Sequence, residues 1–229
     1  MNNSSPTDQP ARRSIVIAVD GPAASGKGTI ARALAEHFNL PHMDTGALYR
    51  AVALNLWRWG GDPASEFEAL RACEDIGSNF EDPELRSEPV SRIASSISAY
   101  PSVREALLDR QRAFAAQEGG AVLDGRDIGT VIAPYADAKL YVTASIDVRA
   151  QRRVRELLER GMPAHYDDVL CDLQSRDSRD MGRKWAPLEQ AEDAALIDTS
   201  DLTVDQAIAA AVGAVEARLD CSARPSSTL

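Results

Sequence analysis

SIVIAVDGPAASGKGT, residues 14–29, decides the fold of this 229-residue chain. Residues 15–19 form an unbroken apolar run, short as a buried strand is. A glycine-rich turn follows, opened by Gly21 and closed by Gly26 and Lys27, and residues 30–35 continue in a helical pattern. Strand, glycine turn and helix in that order lay out a phosphate-binding P-loop. The N–H groups of the turn curl around an anion, and the helix N-terminus adds the positive end of its dipole. Lys27 is placed to reach the outer phosphates of a nucleotide. The G-x-x-x-x-G-K spacing carries Gly28 where Ser or Thr is common, and the hydroxyl comes one residue later, at Thr29. G-K-G-T points away from GTPases and toward kinases of small molecules. No N-K-x-D base-reading motif occurs.

Outward from this loop, strands are expected at 15–19, 42–43, 121–123, 139–143 and 195–197, separated by helices at 27–37, 47–59, 103–117, 148–159 and 204–219. Such alternation predicts an α/β fold with a parallel sheet and helices on both faces. Asp20-Gly21, Asp44-Thr45, Asp124-Gly125 and Asp198-Thr199 all follow expected strands, so they converge on one cleft at the carboxyl ends. Two stretches break the rhythm. Residues 60–100 are polar, with Pro63, Pro83 and Pro89 as breakers, and read as a small excursion; residues 164–187 are rich in Arg and Asp and read as a helix-and-turn flap.

Composition sets bounds. A 44% hydrophobic content is ample for a buried core, and the net charge of −10 argues against a nucleic-acid-binding surface while leaving room for a local basic pocket. Cys73, Cys171 and Cys221 are odd in number and far apart, which predicts reduced thiols in a cytosolic protein rather than a disulfide framework or zinc site. No leader or membrane span is expected, and residues 1–13 and 222–229 read as polar tails.

Several clusters carry chemistry. In DTGALYR (44–50), Thr45 is expected to cap a helix whose N–H groups face an anion, with Arg50 one turn in. In DGRDIGT (124–130), Asp124 suits magnesium or its waters, Arg126 offers a planar fork for phosphate, and Asp127 can accept from an exocyclic amine; a turn with a structural Arg–Asp pair is the plainer alternative. Arg149 and Arg153 share a helix face, read either as a nucleotide contact or as a salt-bridged surface with Glu156 and Glu159. Arg176, Arg179, Asp180 and Arg183 share a face of the flap, where closing over transferring phosphates would neutralise charge and exclude water. Trp57 and Trp59 are expected to pack in the core or lobe.

DGPAASGKGT (20–29), DTGALYR, SSISAYPSVREALLDRQRAF (95–114), DGRDIGTV (124–131), RDSRDMGRKWAPL (176–188) and DTS with LT (198–203) together resemble the bacterial cytidylate (CMP) kinase family of P-loop nucleoside monophosphate kinases, from about residue 15 to about residue 219. The resemblance implies phosphoryl transfer from ATP to CMP or dCMP, with Mg²⁺, in pyrimidine nucleotide metabolism, by a cytoplasmic monomer that binds neither nucleic acid nor membrane. It implies a five-stranded parallel sheet in one kinase domain, 14–221: a core of 14–60, 101–163 and 188–219, an NMP-binding lobe near 61–100 and an arginine-rich lid near 164–187. Gly21, Pro22, Ala23, Ala24, Ser25, Gly26, Lys27, Gly28 and Thr29 would hold ATP with Arg149 and Arg153, the adenine lying near residues 149–153 and 198–202. Thr45, Arg50, Arg126 and Arg183 would contact the acceptor phosphate, Ser95, Arg104 and Asp127 the cytosine, and Asp180 the ribose. Lys27, Arg126, Arg179 and Arg183 would stabilise charge during transfer, with Arg176 as a helper, and Thr29 and Asp124 would serve magnesium, partly through water. One stretch departs from the family: residues 60–95 are short, as though a β-hairpin were missing, so no full antiparallel sheet is expected in the lobe. A kinase for another acceptor, such as UMP or AMP, and a non-catalytic nucleotide sensor are the alternatives.

Overall fold

The computed structural model describes residues 14–77, 80 and 82–223. The polar tail read at 1–13 lies outside these residues, as does the second tail from residue 224 onward. Five parallel strands, β1 Ile15–Asp20, β2 His42–Asp44, β3 Gly120–Gly125, β4 Ala138–Thr143 and β5 Ala195–Asp198, form one sheet in the order β2-β3-β1-β4-β5. The helices are α1 Lys27–Phe38, α2 Thr45–Trp59, α3 Glu66–Arg71, α4 Glu88–Ile97, α5 Pro101–Ala115, α6 Ile146–Glu159, α7 Tyr166–Met181 and α8 Val204–Ala223. Residues 222–223, read as tail, continue α8.

The side chains of β1 show why the sheet is covered on both faces. Ile17 and Val19 pack with Ile30 and Leu34 of α1 and Ala211 and Val215 of α8; Val16 and Ala18 pack the other way, with Leu123, Ile128, Ile132 and Ala115 of α5. Ile17, Ile30 and Leu34 are fully buried, each contributing about 1.5–3 kcal/mol of hydrophobic free energy. Strand register then aligns the chemistry. Asp44 stands opposite Asp124, Asp124 opposite Val19, and Asp20 lies between Gly125 and Tyr141. β1 sits where the chain runs outward to β3 on one side and β4 on the other, the switch point at which open α/β sheets bind ligands.

The excursion at 60–100 is helical rather than irregular. α3, a 3₁₀ turn Pro83–Arg86 and α4 fill most of it, with no strand among the described residues there. Pro89 does not break α4 because it lies in the first turn, where its missing N–H would be unpaired anyway. Val90, Ile93, Ala94 and Ile97 then recur at helical spacing and pack against Val52 and Leu56 of α2. Trp57 and Trp59 are not packed inside; both are more than half exposed near the end of α2, and Arg71 lies 5.5 Å over the Trp59 ring. The flap is α7 followed by an irregular segment, and its apolar residues Val169 and Leu173 pack on α6 and on Ala23 of the glycine turn.

Candidate active site

Two glycines set the shape of the P-loop. A Cβ on Gly21 would stand 2.0 Å from the Val142 carbonyl oxygen, so no other residue lets the turn pass β4 this closely. Gly26 takes φ +91°, a left-handed conformation that glycine adopts without strain, and α1 starts directly after it. No side chain caps α1, so its first N–H groups point at the space the turn encloses. The carbonyls are drawn outward: Arg149 donates to Ala23 O (3.3 Å) and Ala144 O (3.0 Å), and Thr199 Oγ1 donates to Ser25 O (2.9 Å). Arg149, expected beside the adenine, is thus a buried brace behind the loop, tied also to Asp177 Oδ2 at 2.7 Å. The neighbouring Arg152 is the one that enters the cavity, lining about 600 Å³ beside the loop with Thr29, Arg155, Thr199 and Ser200, and it donates to Thr199 O at 2.6 Å. Arg153 faces the phosphate side and pairs with Glu88 and Glu156. Helical spacing placed Arg149 and Arg153 on one face but carried no information about which part of the loop each meets.

Lys27 is held ready for an anion. Its Nζ makes one long contact, to Pro22 O at 3.4 Å. Burial and the neighbouring Arg126 push its ammonium down to about 7, against the opposing pull of Asp124 and Asp44. A bound polyphosphate supplies the missing negative charge and restores the high pKa. ATP binding at pH 8 is therefore expected to take up about one proton per chain. Calorimetry in buffers of different ionisation enthalpy measures this, and Lys27→Met abolishes the uptake; equal uptake in both proteins would remove Lys27 as its source.

The DGRD turn is fastened from below. Asp20 Oδ1 and Oδ2 accept from the backbone N–H groups of Ile128 and Gly129, each at 2.8 Å, at the start of the π-helical turn Ile128–Ile132. Burial pushes the Asp20 carboxyl up to about 7 despite those two donors. The strand-end position of Asp20 was visible in the sequence; its partners more than 100 residues away were not. Asp44, not Thr45, caps α2, accepting from Ala47 N at 3.2 Å, while Thr45 Oγ1 donates to Asp124 O at 2.8 Å. The difference follows from β2 ending at Asp44, which leaves Thr45 already in the first helical turn.

Asp124 is buried. Its Oδ1 meets His42 Nε2 at 2.7 Å, a partner that the sequence did not identify, and its Oδ2 lies 3.7 Å from where a Cβ on Gly28 would stand. Thr29 lines the same cavity from α1. One carboxylate oxygen and one hydroxyl beside a phosphate cradle fit magnesium, which keeps several waters and takes its other ligands from substrate phosphates.

The expected acceptor residues come together. Thr45, Arg50, Ser95, Arg104, Arg126, Asp127, Asp180 and Arg183 line one pocket, with Arg176. Arg104 pairs with Asp127, and Arg183 with Asp180; Arg126 Nε donates to Asp180 Oδ2 at 2.8 Å, and Arg50 to Asp44 at 2.7 Å. Burial works to raise the Asp180 carboxyl, but Arg126, Arg183 and Arg176 outweigh it and hold it below the usual range. Lid meets lobe directly above. Arg179 donates to Ser95 Oγ (3.2 Å), Arg183 to Ser98 Oγ (2.8 Å) and Arg92 to Asp172 (2.6 Å). The pocket holds only about 50 Å³, well below the roughly 300 Å³ or more of small-molecule sites. Between this pocket and the loop lies a cavity of about 290 Å³ that Lys27, Arg50, Arg126 and Arg176 all line. Arg176 belongs to both spaces; burial and Arg126 lower it to about 10, and its Nε has no partner among the described residues. It stands more centrally than its sequence position suggested.

A family model described as Cytidylate kinase matches residues 17–217. A cytidylate kinase of Xanthobacter autotrophicus is 56% identical over 207 residues, 89% of this chain and 98% of the relative. One from Paramagnetospirillum magneticum is 51% identical over 206 residues, 88% of this chain and 98% of the relative. Among solved structures, a gluconokinase from Sinorhizobium meliloti superposes with a TM-score of 0.52 at 15% identity, over 93% of this chain and 99% of that one, a likeness of fold alone. On the family model and these relatives, the chain belongs to the cytidylate kinase family.

Proposed function

We propose that this protein transfers the γ-phosphoryl group of ATP to CMP and dCMP, giving ADP and CDP or dCDP. The observation that carries the reading is the shared cavity: Lys27 at the P-loop and Arg50, Arg126 and Arg176 on the acceptor side line one space. The acceptor's own phosphate oxygen attacks in line, so the chain supplies no nucleophile; its work is positioning and charge stabilisation. The P-loop amides and Lys27 orient the donor phosphates. Arg126, Arg179 and Arg183 neutralise the transferring group once the lid closes, and Arg50 and Thr45 hold the acceptor phosphate. Thr29 and Asp124 would hold magnesium, which when bound screens the charge of the donor phosphates.

Base selection falls to Asp127, Ser95 and Arg104. Cytosine offers an N4 amine donor and an N3 acceptor where uracil offers the reverse. A carboxylate with a hydroxyl accepts from the amine, and the guanidinium donates to N3 and O2. Residues 61–100 act as the acceptor lobe and 164–187 as the lid of one kinase domain. No helix among the described residues is long and apolar enough to cross a membrane. A cytoplasmic monomer acting on free nucleotides is part of the proposal.

The test is ADP formation from Mg-ATP with each nucleoside monophosphate in turn. CMP and dCMP are expected to be turned over well ahead of UMP, AMP and GMP. Preference for UMP or AMP would overturn the base assignment, and binding of ATP without turnover of any acceptor would leave a nucleotide sensor.

A further inference from the structure

Val169, Leu173 and Asp177 recur every four residues along α7, so they share one face of that helix. The first two are buried and pack with residues of α6 and with Ala23 of the glycine turn. The stripe then ends in a carboxylate, at a place where a third apolar side chain would pack as well. A charge there needs a partner. Arg149 donates to Asp177 Oδ2 at 2.7 Å, with the Arg149 side chain 7% and the Asp177 side chain 14% exposed. Asp177 Oδ1 is buried with no partner among the described residues, so the carboxylate is held through that one bond.

Arg149 is itself fastened on two other sides. It donates to Ala144 O, just past the end of β4, at 3.0 Å, and to Ala23 O of the glycine turn at 3.3 Å. One guanidinium thus joins the sheet, the phosphate loop and the flap. A buried ion pair is a poor source of stability, since apolar side chains of similar volume often serve as well. What the pair supplies is a set distance and direction, which apolar contacts do not. Direction matters to the neighbouring residue. Arg176 lies one position before Asp177, about 100° around the helix, and lines both the phosphate cavity and the acceptor pocket. Its Nε has no partner among the described residues, so its place follows from that of α7.

We propose that Asp177 is a positioning residue for Arg176: through Arg149 it locks the last turns of α7 onto the glycine turn, at the height and rotation that aim Arg176 at the phosphates. The inference rests on the phosphoryl-transfer reading given above, and its first readout is binding alone, so that the two fail separately.

The first readout is the affinity of the full chain for inorganic triphosphate without metal, by calorimetry, for binding that ATP displaces. By charge alone, deleting a carboxylate beside this cavity makes an anion bind more tightly. Positioning predicts the opposite sign. Asp177→Ala is expected to weaken triphosphate about tenfold, as Arg176→Ala does, and to add less than about twofold in the Arg176→Ala background. Asp177→Asn keeps an acceptor for Arg149 and is expected to fall between, about threefold weaker than the unaltered protein. It carries the test if the melting temperature shows that Asp177→Ala does not fold. The second readout is turnover of CMP with Mg-ATP. Asp177→Ala is expected to lower kcat about 10²-fold with the KM for ATP changed only a few-fold, and to cost less than about threefold once Arg176 is alanine. Triphosphate binding unchanged or tighter in every Asp177 variant that folds, or losses that multiply in the double variant, would overturn the inference. A chain that turns over no nucleoside monophosphate fails the kinase reading alone, and the triphosphate series still decides the role of Asp177.

Discussion

Replacing Arg126 with alanine is expected to lower kcat about 10³-fold while the KM for ATP changes only a few-fold. The geometry sets both halves of that expectation. Arg126 is held at two points, by Asp180 Oδ2 at 2.8 Å through Nε and by the Gly125 carbonyl at 3.3 Å through Nη1. Its guanidinium is therefore fixed before any nucleotide arrives, and no reorganisation is needed as charge develops on the transferring phosphoryl group. With Arg50 and Arg176 it lines both the phosphate cavity and the acceptor pocket, where the proposed reaction would bring donor and acceptor phosphates together. The P-loop amides and Lys27 remain in the variant, so ATP affinity survives. Lysine at this position does not rescue, since a point charge on a flexible stem cannot hold Asp180 and face the phosphate at once. Loss of Arg126 also leaves Asp180 with Arg183 as its direct partner, so the melting temperature has to be read beside the rate. A variant with normal kcat and a raised KM for CMP would make Arg126 a ground-state clamp and nothing more.

The parts of this molecule that were legible in sequence are those in which local chemistry dictates local shape. All five strands and five of the helices stand within a few residues of their expected places, because short apolar runs alternate there with amphipathic ones. The P-loop and the DGRD turn were readable because glycine at Gly21 and Gly26 and a charged pair directly after a buried strand permit few conformations. α4 was hidden by Pro89, a breaker in mid-helix but not in a first turn. Long-range partners were hidden for a different reason. His42 meets Asp124 only because β2 and β3 pair in one particular register, and Asp20 reaches Ile128 only through the fold as a whole. Arg149 shows the same limit in reverse. Its helix face was right and its direction relative to the loop was not, because one face of α6 meets the glycine turn at one end and the lobe at the other, where Arg153 pairs with Glu88.

Asp127→Ala is expected to lower kcat/KM for CMP about 10²-fold and to raise that for UMP, so that the preference between them shrinks by more than that factor. A hydrogen bond to a charged group contributes about 1.5–3 kcal/mol, or one to two decades, and a neutral hydroxyl about 0.5–1.5 kcal/mol. Asp127 therefore dominates over Ser95, and Ser95→Ala narrows the preference by no more than about tenfold. Under the proposed base assignment, discrimination against UMP would arise from both sides of the same contact: uracil presents a carbonyl oxygen to a buried carboxylate, and neither can donate. Removing the carboxylate lifts that repulsion while forfeiting the amine contact of cytosine. The Arg104 guanidinium, paired with Asp127 and 5.8 Å from the centre of the Tyr49 ring, keeps its place over the ring when the carboxylate goes, so the loss falls on base choice rather than on the shape of the pocket. The kcat at saturating CMP separates the two roles. It is expected to fall far less than kcat/KM, and a parallel fall of both for CMP and UMP alike would move Asp127 from base recognition to the support of Arg104.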